Sequence, residues 1–171
     1  FYVKQTGAHL APVLDTLKYL RQETEVWVEI TTLLIPGLND SADEITRMSA
    51  WIAKELGVDV PLHFSAFHPD YKMTNIPATP VETLIQARQI AQAAGLRYVY
   101  TGNVHNREGD TTYCPSCNSA LIVRDWYEIE QYHLTPDGHC PDCNTRIAGH
   151  FDKSAGQFGR RRIPIVMRGT A

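Results

Sequence analysis

The sequence predicts an α/β protein: repeated βα units that form part of a larger barrel or open sheet, followed by a small cysteine-bearing module. Three observations carry this prediction. Apolar, β-branched runs begin near residues 26, 61 and 96, a spacing of about 35 that suits βα units. Amphipathic stretches with helix-start and helix-stop residues lie between them. From Gly102 onward the periodicity fades and turn residues accumulate. There the chain's only four cysteines appear, as Cys114-Pro115-Ser116-Cys117 and Cys140-Pro141-Asp142-Cys143.

Residues 8–22 read as an amphipathic helix, because Leu10, Val13, Leu14, Leu17 and Leu20 follow helical spacing. The run 26–35 comes next, apolar almost throughout, as expected of a strand covered on both faces. Pro36-Gly37 stops it. Asp40 or Ser41 then caps a second helix, with Ser41 and Glu44 spaced as a capping box. Its buried stripe is Ile45, Met48, Ile52 and Leu56, and Gly57 is its C-terminal stop. Residues 61–67 form a second strand and 68–78 a polar loop. Thr79-Pro80-Val81-Glu82 supplies a cap, a first-turn proline and an acidic residue for a third helix, which runs to Ala94. Gly95 ends it, and 96–101 is the third strand. Connections of this kind give parallel neighbours with right-handed crossovers.

Three strands cannot close a barrel, which in its eight-stranded form takes about 250 residues. The opening Phe1-Tyr2-Val3-Lys4 has no initiator methionine and runs almost directly into a helix, so the chain is expected to be a fragment. The expected organisation is βα units over 1–105, a zinc-ribbon-like four-cysteine module over 106–151 with short strands around 120–123 and 146–151, and a Gly- and Arg-rich tail over 152–171.

The net charge of −3 excludes an overall basic field for nucleic acid. Arg160, Arg161 and Arg162 form a local cluster only. No apolar run approaches the length of a membrane span. Cysteines gathered in pairs, with none scattered as a disulfide framework, fit a reducing interior, so a cytoplasmic location is expected.

Each Cys-x-x-Cys can fold into a tight knuckle whose two sulfurs point at one ion. Together, Cys114, Cys117, Cys140 and Cys143 supply the four thiolates that Zn²⁺ accepts in closed structural sites. A single iron, an iron–sulfur cluster or two redox-active dithiols are the competing readings. The prolines after each first cysteine favour rigid knuckles and structural zinc. Such a site has no open position for substrate, and it would present Trp126, Tyr127 and nearby arginines to a partner.

Ligands of parallel α/β sheets bind beyond the C-terminal ends of the strands. Three loops leave that edge: 36–40, 68–72 and 102–105. They carry Asn39, Asp40, His68, Lys72, Asn103 and His105. Asn39 and Asp40 serve equally as a turn and a helix cap. His68 precedes a proline, which holds it in an extended loop whatever its role. Lys72 reads as a solvated charge more often than an anion partner, His105 lies within reach of a metal beside Cys114 but the four thiolates already complete a site, and His63 reads as a hydrogen-bonded core group.

These same segments resemble a known family. The stretch 33–40, Leu-Leu-Ile-Pro-Gly-Leu-Asn-Asp, is similar to a late strand and loop of radical SAM enzymes related to glycyl-radical-enzyme activases, the pyruvate formate-lyase activating enzymes among them. Residues 63–73 resemble their next strand and loop, with Phe67, His68 and Lys72 matching an aromatic–histidine–lysine pattern. Residues 100–105 with Tyr113 to Cys117 most resemble the radical SAM proteins of the AmmeMemoRadiSam system. The resemblance implies the C-terminal part of a partial, TIM-like (β/α) radical SAM barrel followed by a zinc-ribbon-like module. It implies an oxidoreductase that cleaves S-adenosylmethionine at a [4Fe–4S] cluster, with His68, Asn39, Asp40 and Lys72 as cofactor contacts. The family's Cys-x-x-x-Cys-x-x-Cys cluster motif is absent from this chain, so no catalytic residue is assigned here and this polypeptide alone is expected to be inactive. Partners implied are S-adenosylmethionine and a protein or small-molecule substrate, with no membrane or nucleic acid. The alternative is a zinc-ribbon module that recruits a protein or nucleic-acid partner.

Overall fold

The computed structural model describes residues 1–151; the expected tail 152–171, with its arginine cluster, lies outside the described residues. After a π-helical turn at Tyr2–Thr6 come α1 (Leu10–Glu23), β1 (Ile30–Leu34), α2 (Ala42–Glu55), β2 (Leu62–Ala66), α3 (Val81–Ala93) and β3 (Val99–Gly102). A short α4 (Arg107–Asp110) leads to β4 (Thr112–Tyr113), β5 (Ala120–Asp125) and β6 (Glu128–Tyr132). Strands β1, β2 and β3 pair in parallel in that order, and β4, β5 and β6 form a separate antiparallel sheet.

The expected segment of a TIM-like barrel is overturned. The parallel sheet is open, and the chain leaves β3 for the second sheet rather than continuing around an axis. Adjacent strands rotate by only about 20–25°, so three make a twisted plate. Closure needs tilt and stagger shared over about eight strands. The module's expected strand at 146–151 is reduced to one bridge, His139 to Arg146, and β6 supplies the third strand instead.

Nor is β1 covered on both faces. Ile30, Thr32 and Leu34 turn toward the helices, while Thr31 and Leu33 are exposed. Alternation extends across the sheet, because register places Thr31, His63 and Tyr100 side by side on the opposite face. On the helix side, Leu34, Leu62, Phe64 and Ala66 meet Ile45 and Ile52 of α2 and Leu84, Ala87 and Ala91 of α3. Ser41 caps α2 by accepting from the Glu44 amide at 3.3 Å, as the sequence predicts.

Helix α1 departs from its pattern. None of its residues is buried, and of the predicted stripe Leu17 packs against the core. Polar contacts hold it instead: Arg21 Nε donates to the Leu56 carbonyl at 2.9 Å, and Gln22 to that of Glu55 at 3.3 Å. Cationic and amide donors are favoured there because the last carbonyls of α2 have no partner within their helix.

A buried arginine ties α3 to the turn beyond β3. Arg88, 8% exposed, donates from Nε to the Val99 carbonyl at 3.0 Å and from Nη1 to Glu108 at 2.9 Å. Next to it, Gly109 lets α4 approach β3, since a Cβ there would stand 2.0 Å from Thr101 Oγ1. Strand β3 is the wall shared by both halves. Val99 faces the helices, whereas Tyr98 and Tyr100 join Leu121, Ile122, Ile147, Cys114 and Cys140 in a second core. Among the described residues no helix is long and apolar enough to cross a membrane.

Candidate functional site

Both cysteine pairs sit in the same local fold. Cys114-Pro115-Ser116-Cys117-Asn118-Ser119 and Cys140-Pro141-Asp142-Cys143-Asn144-Thr145 are matching hexapeptides. In each, the asparagine amide donates to the first cysteine's carbonyl, at 2.9 Å from Asn118 and 2.8 Å from Asn144. Each asparagine is left-handed, with φ of 61° and 60°, a conformation that this residue tolerates better than most. The first cysteine's own amide then donates to Ser119 or Thr145, at 2.9 Å in both. The turn is thereby closed twice, and its two sulfurs point the same way.

Facing knuckles bring Cys114, Cys117, Cys140 and Cys143 Sγ within 4.8 Å of one another. Cys114 lies 3.5 Å from Cys143, and Cys117 3.6 Å from Cys140. A tetrahedral ion with metal–sulfur bonds of about 2.3 Å separates its sulfurs by about 3.8 Å. The four thiols therefore fit one ion such as zinc. A multi-iron cluster, with sulfides between its irons, needs thiolates spread more widely. All four cysteines are free thiols.

Charge control is asymmetric. The Ser119 hydroxyl and amide draw the Cys117 thiol down to about 6, and Thr145 lowers that of Cys143. Burial pushes the Cys140 thiol up to about 12. Thus the exposed sulfur of each knuckle is prepared as a thiolate, and the buried Cys140 needs a cation to become one. Asp142 of the second knuckle is held below the usual carboxylate range by the Ser119 hydroxyl of the first and by His133, which links the knuckles outside the sulfurs.

The strand-end loops converge on one edge of the parallel sheet, since Leu34 is registered with Ala66 and Ser65 with Gly102. Most of their polar groups hold the loops themselves. Asn39 accepts from the Ile35 amide at 2.8 Å and donates to the Leu33 carbonyl at 2.9 Å; Asp40 accepts from Gly37 at 2.9 Å. Asn103 donates to the Ala66 carbonyl at 3.1 Å. Thr79, expected as a helix cap, instead spans two strand ends: its hydroxyl donates to the Leu34 carbonyl at 2.6 Å and accepts from the Phe67 amide at 2.9 Å. His68 is exposed just past β2, and Lys72 lies over the Tyr71 ring at 5.2 Å. His105 stands apart from the sulfurs, 3.0 Å from Asp125, with the Trp126 indole N–H 2.9 Å from its ring nitrogens.

A second polar constellation lies between the sheets and was not singled out from the sequence. His63, read as a core group, is half-exposed there, 2.9 Å from Glu29 and stacked on Tyr100. Arg124 and Asp110 face the same space. Alternation within β2 and β3 is the signal that could have placed His63 and Tyr100 on one face. Arg124 needed the tertiary fold.

Burial pushes the Asp110 carboxyl up to about 6, against the pull of the Asn106 backbone and with Asp125 adding repulsion. The folded state therefore favours the protonated acid. That stabilisation is fully present below the ordinary value of 3.8 and is lost as pH rises through about 6. Asp110→Asn should raise the melting temperature above pH 6 and leave it unchanged below about pH 4. Solvent screening at this half-exposed position keeps the gain to about 1 kcal/mol. Melting curves from pH 4 to 8 check it, and a constant difference across that range refutes it.

No known family profile matches the chain. It is 45% identical over 148 residues to the uncharacterized protein MJ0808 of Methanocaldococcus jannaschii. That match takes in 86% of the chain and 44% of the relative, so the chain spans less than half of that protein's length.

Proposed function

We propose that this chain is a metal-binding module whose four cysteines hold one structural Zn²⁺ and whose outer hairpin recruits a protein partner. The four-sulfur cluster, with all ligand atoms within 4.8 Å, is the observation that carries this reading. The site is closed and offers no position for substrate, so it supports a fold rather than a reaction. The β5–β6 hairpin exposes Trp126, Tyr127 and Ile129 beside Glu128 and Glu130. Aromatic groups favour a protein interface, and acidic neighbours disfavour a phosphate backbone. Purified protein should carry one equivalent of zinc by elemental analysis. A crosslinked partner should bind at least about tenfold more weakly to a Trp126→Ser, Tyr127→Ser double variant. Salt-dependent binding of RNA or DNA would replace the protein partner with a nucleic acid. Iron in place of zinc would overturn the metal assignment.

A second reading follows the radical SAM resemblance. What favours it is the convergence of loops 36–40, 68–72 and 102–105 on one strand-end edge, together with a relative of which the match covers only 44%. On this reading the longer protein carries the [4Fe–4S] ligands, His68 contacts S-adenosylmethionine, and Asn39, Asp40 and Lys72 border the cofactor. Formation of 5′-deoxyadenosine by the full-length relative, under reducing anaerobic conditions, tests it.

A further inference from the structure

The face of the parallel sheet away from the helices is neither bare nor filled. Opposite it stands the antiparallel sheet, and between the two lies a cleft of about 650 Å³. Small-molecule sites occupy roughly 300–1,000 Å³. Trp27, Tyr98, Tyr100 and Trp126 give it aromatic walls. His63 backs Tyr100 at 5.0 Å between ring centres, which fixes that ring's plane. The tyrosine hydroxyl is held 2.9 Å from Thr112 Oγ1.

Arg124 is the cation of this cleft that makes no direct ion pair among the described residues. Its Nη1 donates to the Asp110 carbonyl at 3.2 Å and to Thr112 Oγ1 at 2.9 Å, and its guanidinium carbon is 5.8 Å from the centre of the Tyr100 ring. Both contacts are neutral oxygens. Among the described residues no carboxylate forms an ion pair with it. Of the cleft's two acids, Glu29 is engaged by the Trp27 indole and by His63, both at 2.9 Å, and Asp110 feels the Arg124 charge without a direct ion pair to it. A guanidinium has five N–H donors, and those on Nη2 and Nε form a fork suited to a carboxylate. A half-buried cation beside a fixed aromatic face selects a ligand with both an acid and a ring.

We propose that this cleft binds a planar aromatic carboxylate, with its ring among the aromatic walls of Trp27, Tyr100 and Trp126 and its carboxylate on Arg124. The site is separate from the cysteine cluster; the loop after β3 (Gly102 to Val104) borders one side of it, and Trp126, Tyr127 and Ile129 of the outer hairpin border the other.

The test uses the full 171-residue chain with its metal site loaded, and three probes followed by amide and indole N–H chemical shifts. These are 2-naphthoate, 2-naphthalenemethanol (ring without acid) and cyclohexanecarboxylate (acid without planar ring). Naphthoate should bind at least about tenfold more tightly than either control. Its shifts should cluster at Tyr100, Thr112, Arg124 and the Trp27 and Trp126 indoles. Arg124→Gln should erase the preference for naphthoate over the alcohol, whereas Arg124→Lys should keep part of it. Equal affinity for all three probes, no binding up to about 5 mM, or shifts centred elsewhere would each overturn the proposal. If Arg124→Gln unfolds, the probe comparison and shift map of the parent chain still decide the matter.

Discussion

Replacing Cys140 by serine is expected to abolish metal retention and to unfold the antiparallel half of the protein while the parallel half stays folded. Cys140 is fully buried, and its thiol is pushed up to about 12 by burial, so a bound cation is what offsets the cost of making it a thiolate. The residue is also part of the second core, with Cys114, Leu121, Ile122 and Ile147. That core is small, and its sheet pairs a two-residue strand with one of six and one of five. Small modules of this kind draw their folding free energy from the metal, about 10–16 kcal/mol of apparent binding in zinc-finger peptides at neutral pH. Serine is nearly isosteric, so the effect reports lost ligation rather than a cavity. Elemental analysis should fall from one equivalent of zinc to under about a tenth. Amide exchange should accelerate across β4–β6 but not in α2, α3, β1 or β2. A strong chelator should reproduce the pattern in the parent chain. Unchanged zinc content, or unchanged protection of β5, would rule out the structural metal role.

How much of this was readable from residues alone differs between the two halves. The strands β1 to β3 and the helices between them follow from local rules: Ser41 with Glu44, Gly57 and Gly95 mark helix ends, and β-branched runs mark the strands. Those rules describe neighbours in sequence, so they place elements and miss layers. Leu33 looked buried because its run is apolar, yet it is exposed at 42%, on the face that no helix covers. Likewise the stripe of α1 has helical spacing but no partner surface, and only Leu17 finds the core. The barrel expectation failed for the same reason: βα spacing specifies how each strand meets the next, and says nothing of how many there are.

Of the candidate site, the four cysteines were legible because the ligand set is written into two short repeats. Each repeat carries its geometry with it, down to the asparagine that takes the left-handed turn and the hydroxyl beside the second sulfur. By contrast, Thr79 read as a cap, and Arg88 was not singled out within its helix. Their roles depend on carbonyls 45 and 11 residues away, those of Leu34 and Val99. The cleft is the extreme case. Glu29, His63, Tyr100 and Arg124 come from four separate segments of chain, and only the packing of two sheets brings them together.

Phe64→Ala should give the largest loss of stability of any single core truncation in the parallel half. Phe64 lies on the central strand, is 0% exposed, and is the largest fully buried side chain among the described residues. Its ring is enclosed by residues of α2 and α3, so neither a free edge nor a mobile loop can collapse into the space it leaves. Truncations of this kind cost about 3–5 kcal/mol, the loss rising with the cavity that remains. Domains of this size are stabilised by only about 5–15 kcal/mol, so a third or more of the total is at stake. Denaturant titration should show the midpoint falling with little change in slope. Phe64→Leu, which keeps most of the volume, should lose roughly half as much or less. Zinc content should stay at one equivalent in both variants, because Phe64 belongs to the helix-side core and the sulfurs to the other. A loss under about 1 kcal/mol for Phe64→Ala would mean that the ring is not the keystone of this sheet. Loss of zinc along with stability would mean that the two cores fold as one unit through β3.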